Sequence, residues 1–218
     1  MREATRTAFE DYLKAIYSHT EWQPNPVTPS VLAAKVGVGP SSVTEMVKKL
    51  AAAGLVTHTP YGSVQLTETG TAEALSVLRR HRLIETWLVS ELGYGWDEVH
   101  DEAEILEHAV SERLLNAIDA RLGHPARDPH GDAIPTADGS VDRTPFVLLR
   151  DAAPGTVSTV LRISDRSPDL LRQLDALQVG PGTAISLVSV SPDAVSIAVD
   201  GNEVELPGEA LDAIWVVA

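Results

Sequence analysis

Two stretches of this chain place imidazole and carboxylate side chains at helical spacing. "VHDEAEILEHAV", residues 99–110, reads as one helix in which His100, Glu104, Glu107 and His108 interrupt the apolar positions. At about 100° per residue these four fall within an arc of roughly 100°, beside an apolar stripe of Ala103, Leu106 and Val110. One helix earlier, "RRHRLIE" sets His81 and Glu85 four apart on one face. Two chemistries suit such faces. The first is an ion-paired surface: carboxylates about 4 Å apart repel by about 1 kcal/mol in water and about 4 kcal/mol at an effective dielectric of 20. Arg79, Arg80 and Arg82 would then serve as counter-charges. The second is a metal centre. The chain has no Cys, so its donors are oxygen and imidazole nitrogen, which suit hard or borderline divalent ions such as Mn²⁺ or Fe²⁺. A structural zinc site would more often draw on thiolates. The recurrence of His with Glu at i+3 or i+4 in neighbouring helices favours the metal.

The elements that must hold these residues follow from periodicity. From Glu68 to about Leu122 the pattern is helical, with a break at Gly93 to Gly95 between two long helices. Upstream, Phe9, Leu13, Ile16 and Tyr17 mark an amphipathic helix that ends at "QPNPVTP". "TPSVLAAKVGVGPSSVTEMVKKLAAAGLV" then gives two short helices around a Gly turn, a helix-turn-helix pattern. Its second helix is expected to be capped by Ser41 or Ser42 and to bury Val43, Val47 and Leu50. Thr44, Glu45, Lys48 and Lys49 would face outward. Helical hairpins of this kind also occur in ordinary cores. The alternating "LVTHTPYGSVQLT", turning around Pro60 to Ser63, adds a wing and favours DNA binding. Ser42, Thr44 and Glu45, with Ser41 beside them, would then lie in the major groove, where a carboxylate can accept from cytosine N4, and Lys48 and Lys49 would hold phosphates.

Residues 123–140, rich in Pro, Gly and Asp, read as an irregular connector. From Pro145 on, "PFVLL", "TVSTVLRI", "TAISLVSV", "AVSIAV", "EVEL" and "AIWVV" are short β stretches of a small barrel or sandwich. The expected architecture is α+β in three parts: 1–75, 76–143 and 144–218.

Net charge is −14 over 218 residues, which at first sight opposes binding to phosphates. Its distribution matters more. Residues 1–75 carry six Lys/Arg against seven Asp/Glu, while residues 144–218 carry four against ten. A bound cation would offset part of the acidity. The absence of Cys suits a reducing cytoplasm. No apolar run approaches the roughly 18 residues of a membrane span, and the first 17 residues lack the apolar stretch of a signal peptide. His19, His58 and His124 read as surface or loop residues, His130 as structural, and Trp22, Trp87, Trp96 and Trp215 as packing residues.

"FEDYLKAIY", "VGPSSVTEMVKKLAAAGLV", "LRRHRLIETWL", "VHDEAEILEHAVSE" and "DPHGDAIP" follow one another in the order and spacing of the diphtheria-toxin-repressor family of metal-dependent regulators, which this chain resembles over all three parts. The resemblance implies a winged helix-turn-helix, a helical dimerisation domain and a C-terminal SH3-like (FeoA-like) domain. It also implies a primary metal site of Asp11, Glu104, Glu107 and His108, and a second site of His81, Glu85 and His100 with Asp165. The iron-sensing branch has Met and Cys where this chain has Asp11 and Glu104, as the manganese transport regulators do. Replacing thioether and thiolate by carboxylates shifts preference from Fe²⁺ or Co²⁺ toward Mn²⁺. Two positions depart from the pattern. Lys14 stands where short manganese regulators have a Glu ligand, and Pro168 stands where iron-type long members have an amide ligand.

The resemblance implies a manganese-dependent repressor that binds palindromic operator DNA as a metal-loaded homodimer and controls metal-uptake genes. No small-molecule substrate and no membrane is expected. An iron- or zinc-responsive repressor on the same fold is the alternative. A metal-dependent hydrolase is a third reading, but neither a nucleophile elbow nor a Gly-rich phosphate loop accompanies the His/Glu cluster.

Overall fold

The computed structural model describes residues 3–23, 25–58 and 62–218. They form two compact units divided between Arg80 and His81, inside one helix. The first unit runs to Arg80 and takes in Pro135–Ser140; the second holds His81–Ile134 and Val141–Ala218.

The first unit contains α1 (Glu3–Glu21), α2 (Pro29–Val36), α3 (Pro40–Ala52), β1 (Val56–His58), β2 (Val64–Leu66) and the first half of α4 (Glu68–Leu92). α1 buries Phe9, Tyr12, Leu13 and Ile16 against Leu32 of α2 and Val43, Val47 and Leu50 of α3. Tyr12, not Tyr17, completes that stripe; Tyr17 is only partly buried. The α2 start is fixed by Thr28, whose hydroxyl oxygen accepts the Val31 N–H at 3.3 Å, and its end by Gly37 in the left-handed region at φ 67°. Full burial of Leu32 contributes about 2 kcal/mol. α3 begins earlier than its serines suggest. Its N-cap is Gly39, without a side-chain cap, and Pro40 occupies the first turn, where its fixed φ suits the helix. Ser41 and Ser42 therefore sit inside the helix. β1 and β2 pair antiparallel from Val56↔Leu66 to His58↔Val64, and part of the expected turn lies outside the described residues. Glu10 is held inside this unit by Arg80 at 3.1 Å and Arg6 at 3.0 Å.

The second unit continues α4 and adds α5 (Val99–Leu106) and α6 (Glu112–Arg121). The stretch 99–110 is thus not one helix. Glu107 caps the C-terminus of α5, and Ser111 opens α6 by accepting the Leu114 N–H at 3.3 Å. The helical arc holds for His100 and Glu104; Glu107 and His108 belong to the turn between helices. Ile84, Leu88, Val99 and Ala103 make one apolar cluster and Leu83, Leu115 and Ile134 another.

The C-terminal part is an SH3-like domain with six antiparallel strands: β3 (Phe146–Leu148), β4 (Val157–Ile163), β5 (Ala184–Val190), β6 (Ala194–Val199), β7 (Asn202–Pro207) and β8 (Ile214–Val217). Their order is β3-β8-β4-β5-β6-β7. α7 (Pro168–Ala176) and the short α8 (Ala210–Ala213) interrupt the strands, an addition to the expected all-β pattern. α7 buries Leu170, Leu171 and Leu174 in the same core as Val160, Ile163 and Ile197. The connector docks on β4: Ile163 N–H donates to the His130 carbonyl at 2.9 Å. Gly131 permits this approach, because at φ 94° a Cβ there would lie 2.0 Å from the Leu161 carbonyl oxygen.

Candidate metal centre

α4 and α5 bring His81, Glu85 and His100 together inside the second unit. His81 Nε2 lies 3.0 Å from Glu85 Oε1 and 3.2 Å from His100 Nδ1, and His100 Nδ1 lies 3.3 Å from Glu85 Oε1. Asp165, in the turn between β4 and α7, places Oδ2 3.5 Å from His100 Nδ1. Glu104 sits 3.5 Å from His100 Nε2 and groups with His81 and His100. The other ring nitrogen of His81 meets Glu107 Oε2 at 2.6 Å, and His108 Nε2 lies 3.3 Å from Glu107 Oε1. The residues of the two expected sites that lie in this unit therefore form one continuous chain of donors. Asp11 stands on α1 in the first unit, partly buried.

A second group of donors is not legible in the sequence. Glu85, Asp128 and His130 are all buried, with one ligand atom from each within 4.8 Å of the others. His130 Nε2 is 2.7 Å from the Trp96 carbonyl oxygen. A carbonyl only accepts, so Nε2 carries the proton, and Nδ1 faces Glu85 Oε2 at 4.0 Å. Fixing the distal ring nitrogen in this way is what orients a metal-ligating imidazole. The Trp96 ring stacks on that of His130, centroids 6.0 Å apart. Asp128 Oδ1 accepts the main-chain N–H of His130 and of Asp132, each at 2.9 Å. The signal available is the Asp-x-His spacing in "DPHG", inside a stretch that reads as an irregular connector.

Glu107 is 0% exposed and Glu85 2%, so these two carboxylates do not lie on a solvated face, whereas His100 and Glu104 keep 44% and 39% of their side chains exposed. Of the arginines expected as counter-charges, Arg80 pairs with Glu10, Arg79 donates to the Pro135 carbonyl at 3.0 Å, and Arg82 reaches Asp132 at 3.4 Å, Asp128 at 3.8 Å and the Ala133 carbonyl at 2.6 Å. Burial alone would raise the Glu85 carboxyl, but the charge of His81 and hydrogen bonds from His100 and His81 hold it well below the ordinary carboxylate range. The Glu85 hydrogen bond raises His100 in turn. Asp128 is pushed up to about 8 by burial and by the neighbouring Asp132 and Glu85 charges. A buried carboxylate, Glu85, held ionised by imidazoles, and a further one, Asp128, that burial drives toward its neutral form, make an environment suited to a cation. Donors in a shell of radius about 2.1 Å lie about 3 Å apart. The separations of 3.0 to 3.5 Å and the sulfur-free donor set fit a hard or borderline divalent ion.

In the first unit, α3 exposes Ser41, Ser42, Thr44, Glu45, Lys48 and Lys49, all on the side away from Val43, Val47 and Leu50. Thr44 donates its hydroxyl to the Pro40 carbonyl at 2.9 Å, and Lys48 pairs with Glu45 at 2.8 Å. That pairing lowers the Glu45 carboxyl.

Comparison with known proteins agrees along the whole chain. Residues 4–64 match the iron dependent repressor N-terminal DNA binding domain, 67–136 the iron dependent repressor metal binding and dimerisation domain, and 147–218 the FeoA domain. The iron-dependent repressor IdeR of Mycobacterium tuberculosis is 30% identical over 220 residues, covering 95% of each chain. A solved structure of a manganese-dependent transcriptional repressor in complex with manganese is 46% identical with a TM-score of 0.91, covering 96% of this chain and 99% of that one. The manganese regulator SloR is 32% identical with a TM-score of 0.77, covering 95% and 97%. These proteins are DNA-binding regulators, not enzymes.

Proposed function

The chain belongs to the iron-dependent repressor family, and from that premise we propose that it is a manganese-activated repressor that binds palindromic operator DNA as a homodimer and controls metal-uptake genes. The observation that carries the metal assignment is the buried donor system of the second unit, built from carboxylate and imidazole without sulfur. Carboxylates in place of thiolate favour Mn²⁺ over softer ions, and similarity to repressors described as manganese-dependent supports the same choice. An iron-responsive repressor is the second reading, favoured by the similarity to IdeR.

In this reading Asp11, Glu104, Glu107 and His108 hold one ion. The second donor system, with Glu85 at its centre, draws on His81, His100 and Asp165 or on Asp128 and His130. A divalent ion held by these residues would supply two positive charges among the carboxylates. The protein's own residues do the rest. Asp11, on the first helix of the DNA-reading unit, makes the placement of α3 depend on the segment that pairs the subunits. Two recognition helices must meet half-sites about 34 Å apart, so fixing their separation selects the competent minority of an otherwise broader ensemble. Lys48 and Lys49 take phosphates, while Ser41, Ser42 and Thr44 lie at the groove. Glu45 reads a base only when Lys48 is drawn off it to a phosphate. Leu92, Ile105 and Leu114, large apolar side chains left exposed on α4, α5 and α6, supply area for the homodimer to cover. The cytoplasm is the compartment where such a regulator meets DNA.

A gel-shift titration on a promoter carrying a palindromic operator tests the reading. Binding should require Mn²⁺ and be lost with chelator; equal affinity in both would overturn it.

A further inference from the structure

Beyond the donors themselves, the loop 128–132 is gripped from two sides. Asp132 Oδ1 accepts from Arg162 Nε of β4 at 2.8 Å and from Arg82 Nη2 of α4 at 3.4 Å. Arg82 also faces Asp128, its Nε 3.8 Å from Oδ2. One guanidinium thus stands between two buried carboxylates; Asp132 also has Arg162, and Asp128 has the His130 imidazole. Arg162 is unusual for a strand residue in being buried among apolar neighbours. The pairing of β4 with β8 shifts register between Val160 and Arg162, and every residue from Val160 to Ile163 is buried. A bulge re-aims side chains in this way. Its guanidinium lies over the Trp215 ring, 4.5 Å from the centroid.

The geometry points to Arg162 as a positioning residue for the Glu85–Asp128–His130 donor group: the SH3-like domain, through a buried cation, decides whether the connector can offer its ligands. Asp132 follows Asp128 by four residues, and its main-chain N–H is bound to the Asp128 carboxylate. With Arg162 present, Asp132 is satisfied and Arg82 remains beside Asp128. Without Arg162, Asp132 is a buried anion left with Arg82, and drawing Arg82 over would take the guanidinium from beside Asp128 and turn the loop that carries His130. Both Arg162 and the docking of Gly131 against the Leu161 carbonyl reach the loop from β4, so the domain acts on the ligands as a clamp. This inference rests on the reading that Glu85, Asp128 and His130 bind a divalent ion.

The test counts Mn²⁺ bound to the full-length protein by electron paramagnetic resonance, in which the free aqueous ion gives the signal, for wild type, Glu85→Gln, Arg162→Met, Arg162→Lys and Asp132→Asn with Arg162→Met. Glu85→Gln should remove one class of ion. Arg162→Met should weaken that same class by about 10- to 100-fold, the range found when residues supporting metal ligands are replaced, and leave the other class unchanged. Lys at 162 should recover most of the loss. The double substitution should recover affinity as well, because no stranded carboxylate then competes for Arg82. Wild-type binding by Arg162→Met, or a double variant as weak as Arg162→Met, would overturn the inference. Glu85→Gln retaining every ion would instead sink the underlying metal reading, and the inference with it. Hydrogen exchange on the wild type covers the case in which Arg162→Met does not fold. Mn²⁺ should protect amides of loop 128–132 and of β4 near Ile163 together, and Glu85→Gln should abolish both effects. Protection confined to the loop would overturn the clamp.

Discussion

Gly131→Ala should be far more damaging than its single added methyl suggests. The residue sits at φ 94°, which an L side chain adopts at a cost of about 1–3 kcal/mol, and its Cβ would lie 2.0 Å from the Leu161 carbonyl oxygen. Ordinary packing needs more than about 3 Å, so the loop must move off β4 by about 1 Å, weakening the His130 carbonyl to Ile163 N–H bond, worth about 1 kcal/mol. The expected loss is about 2–4 kcal/mol. Gly201→Ala is the control within the same domain: φ is 80°, nothing lies within 4 Å, and only the backbone cost of about 1–2 kcal/mol applies. Urea unfolding of the metal-free protein, followed by tryptophan fluorescence, measures both. Equal losses at the two positions, or a loss under about 0.5 kcal/mol at Gly131, would refute the claim that the connector is docked tightly on the SH3-like sheet.

Further outcomes follow from the same geometry. Glu104→Cys should make operator binding respond to Fe²⁺ or Co²⁺ at lower concentration relative to Mn²⁺, since a thiolate softens the donor set; an unchanged metal order would remove the main reason for choosing manganese. Asp11→Asn should abolish Mn²⁺-stimulated gel shifts while leaving the class of ion that depends on Glu85 in place, measured by equilibrium dialysis. Replacing Lys48 and Lys49 by Ala should weaken binding across DNA sequences and lower the slope of log affinity against log salt by about 4, roughly one for each phosphate left without its lysine across the two subunits. Leu32→Ala, at a fully buried position of α2, should cost the first unit about 2–5 kcal/mol in chemical denaturation.

Legibility in the sequence follows the range of the interaction. α3 is readable because its 3.6-residue alternation is local: Val43, Val47 and Leu50 are buried while Thr44, Glu45, Lys48 and Lys49 are exposed. All six C-terminal strands lie on the alternating stretches for the same reason. Across 99–110 the apolar periodicity runs past Glu107 and hides the break, although Ser111 carries the hydroxyl that starts a new helix. α7 escapes a reading by alternation even though Ser167 and Pro168 are helix-start residues, because nine residues between strands carry a weak periodic signal. Asp128 and His130 are the least legible. Their partner Glu85 is more than forty positions away, and only the fold of a connector without regular secondary structure brings them to it.

The most direct test of the whole account is anomalous diffraction at the manganese edge from crystals of the Mn²⁺-loaded protein. Those crystals should show an anomalous peak ligated jointly by Asp11, Glu104, Glu107 and His108, so that α1 and the subunit-pairing segment share one ion. A loaded protein in which the Asp11 carboxylate touches no manganese would contradict it.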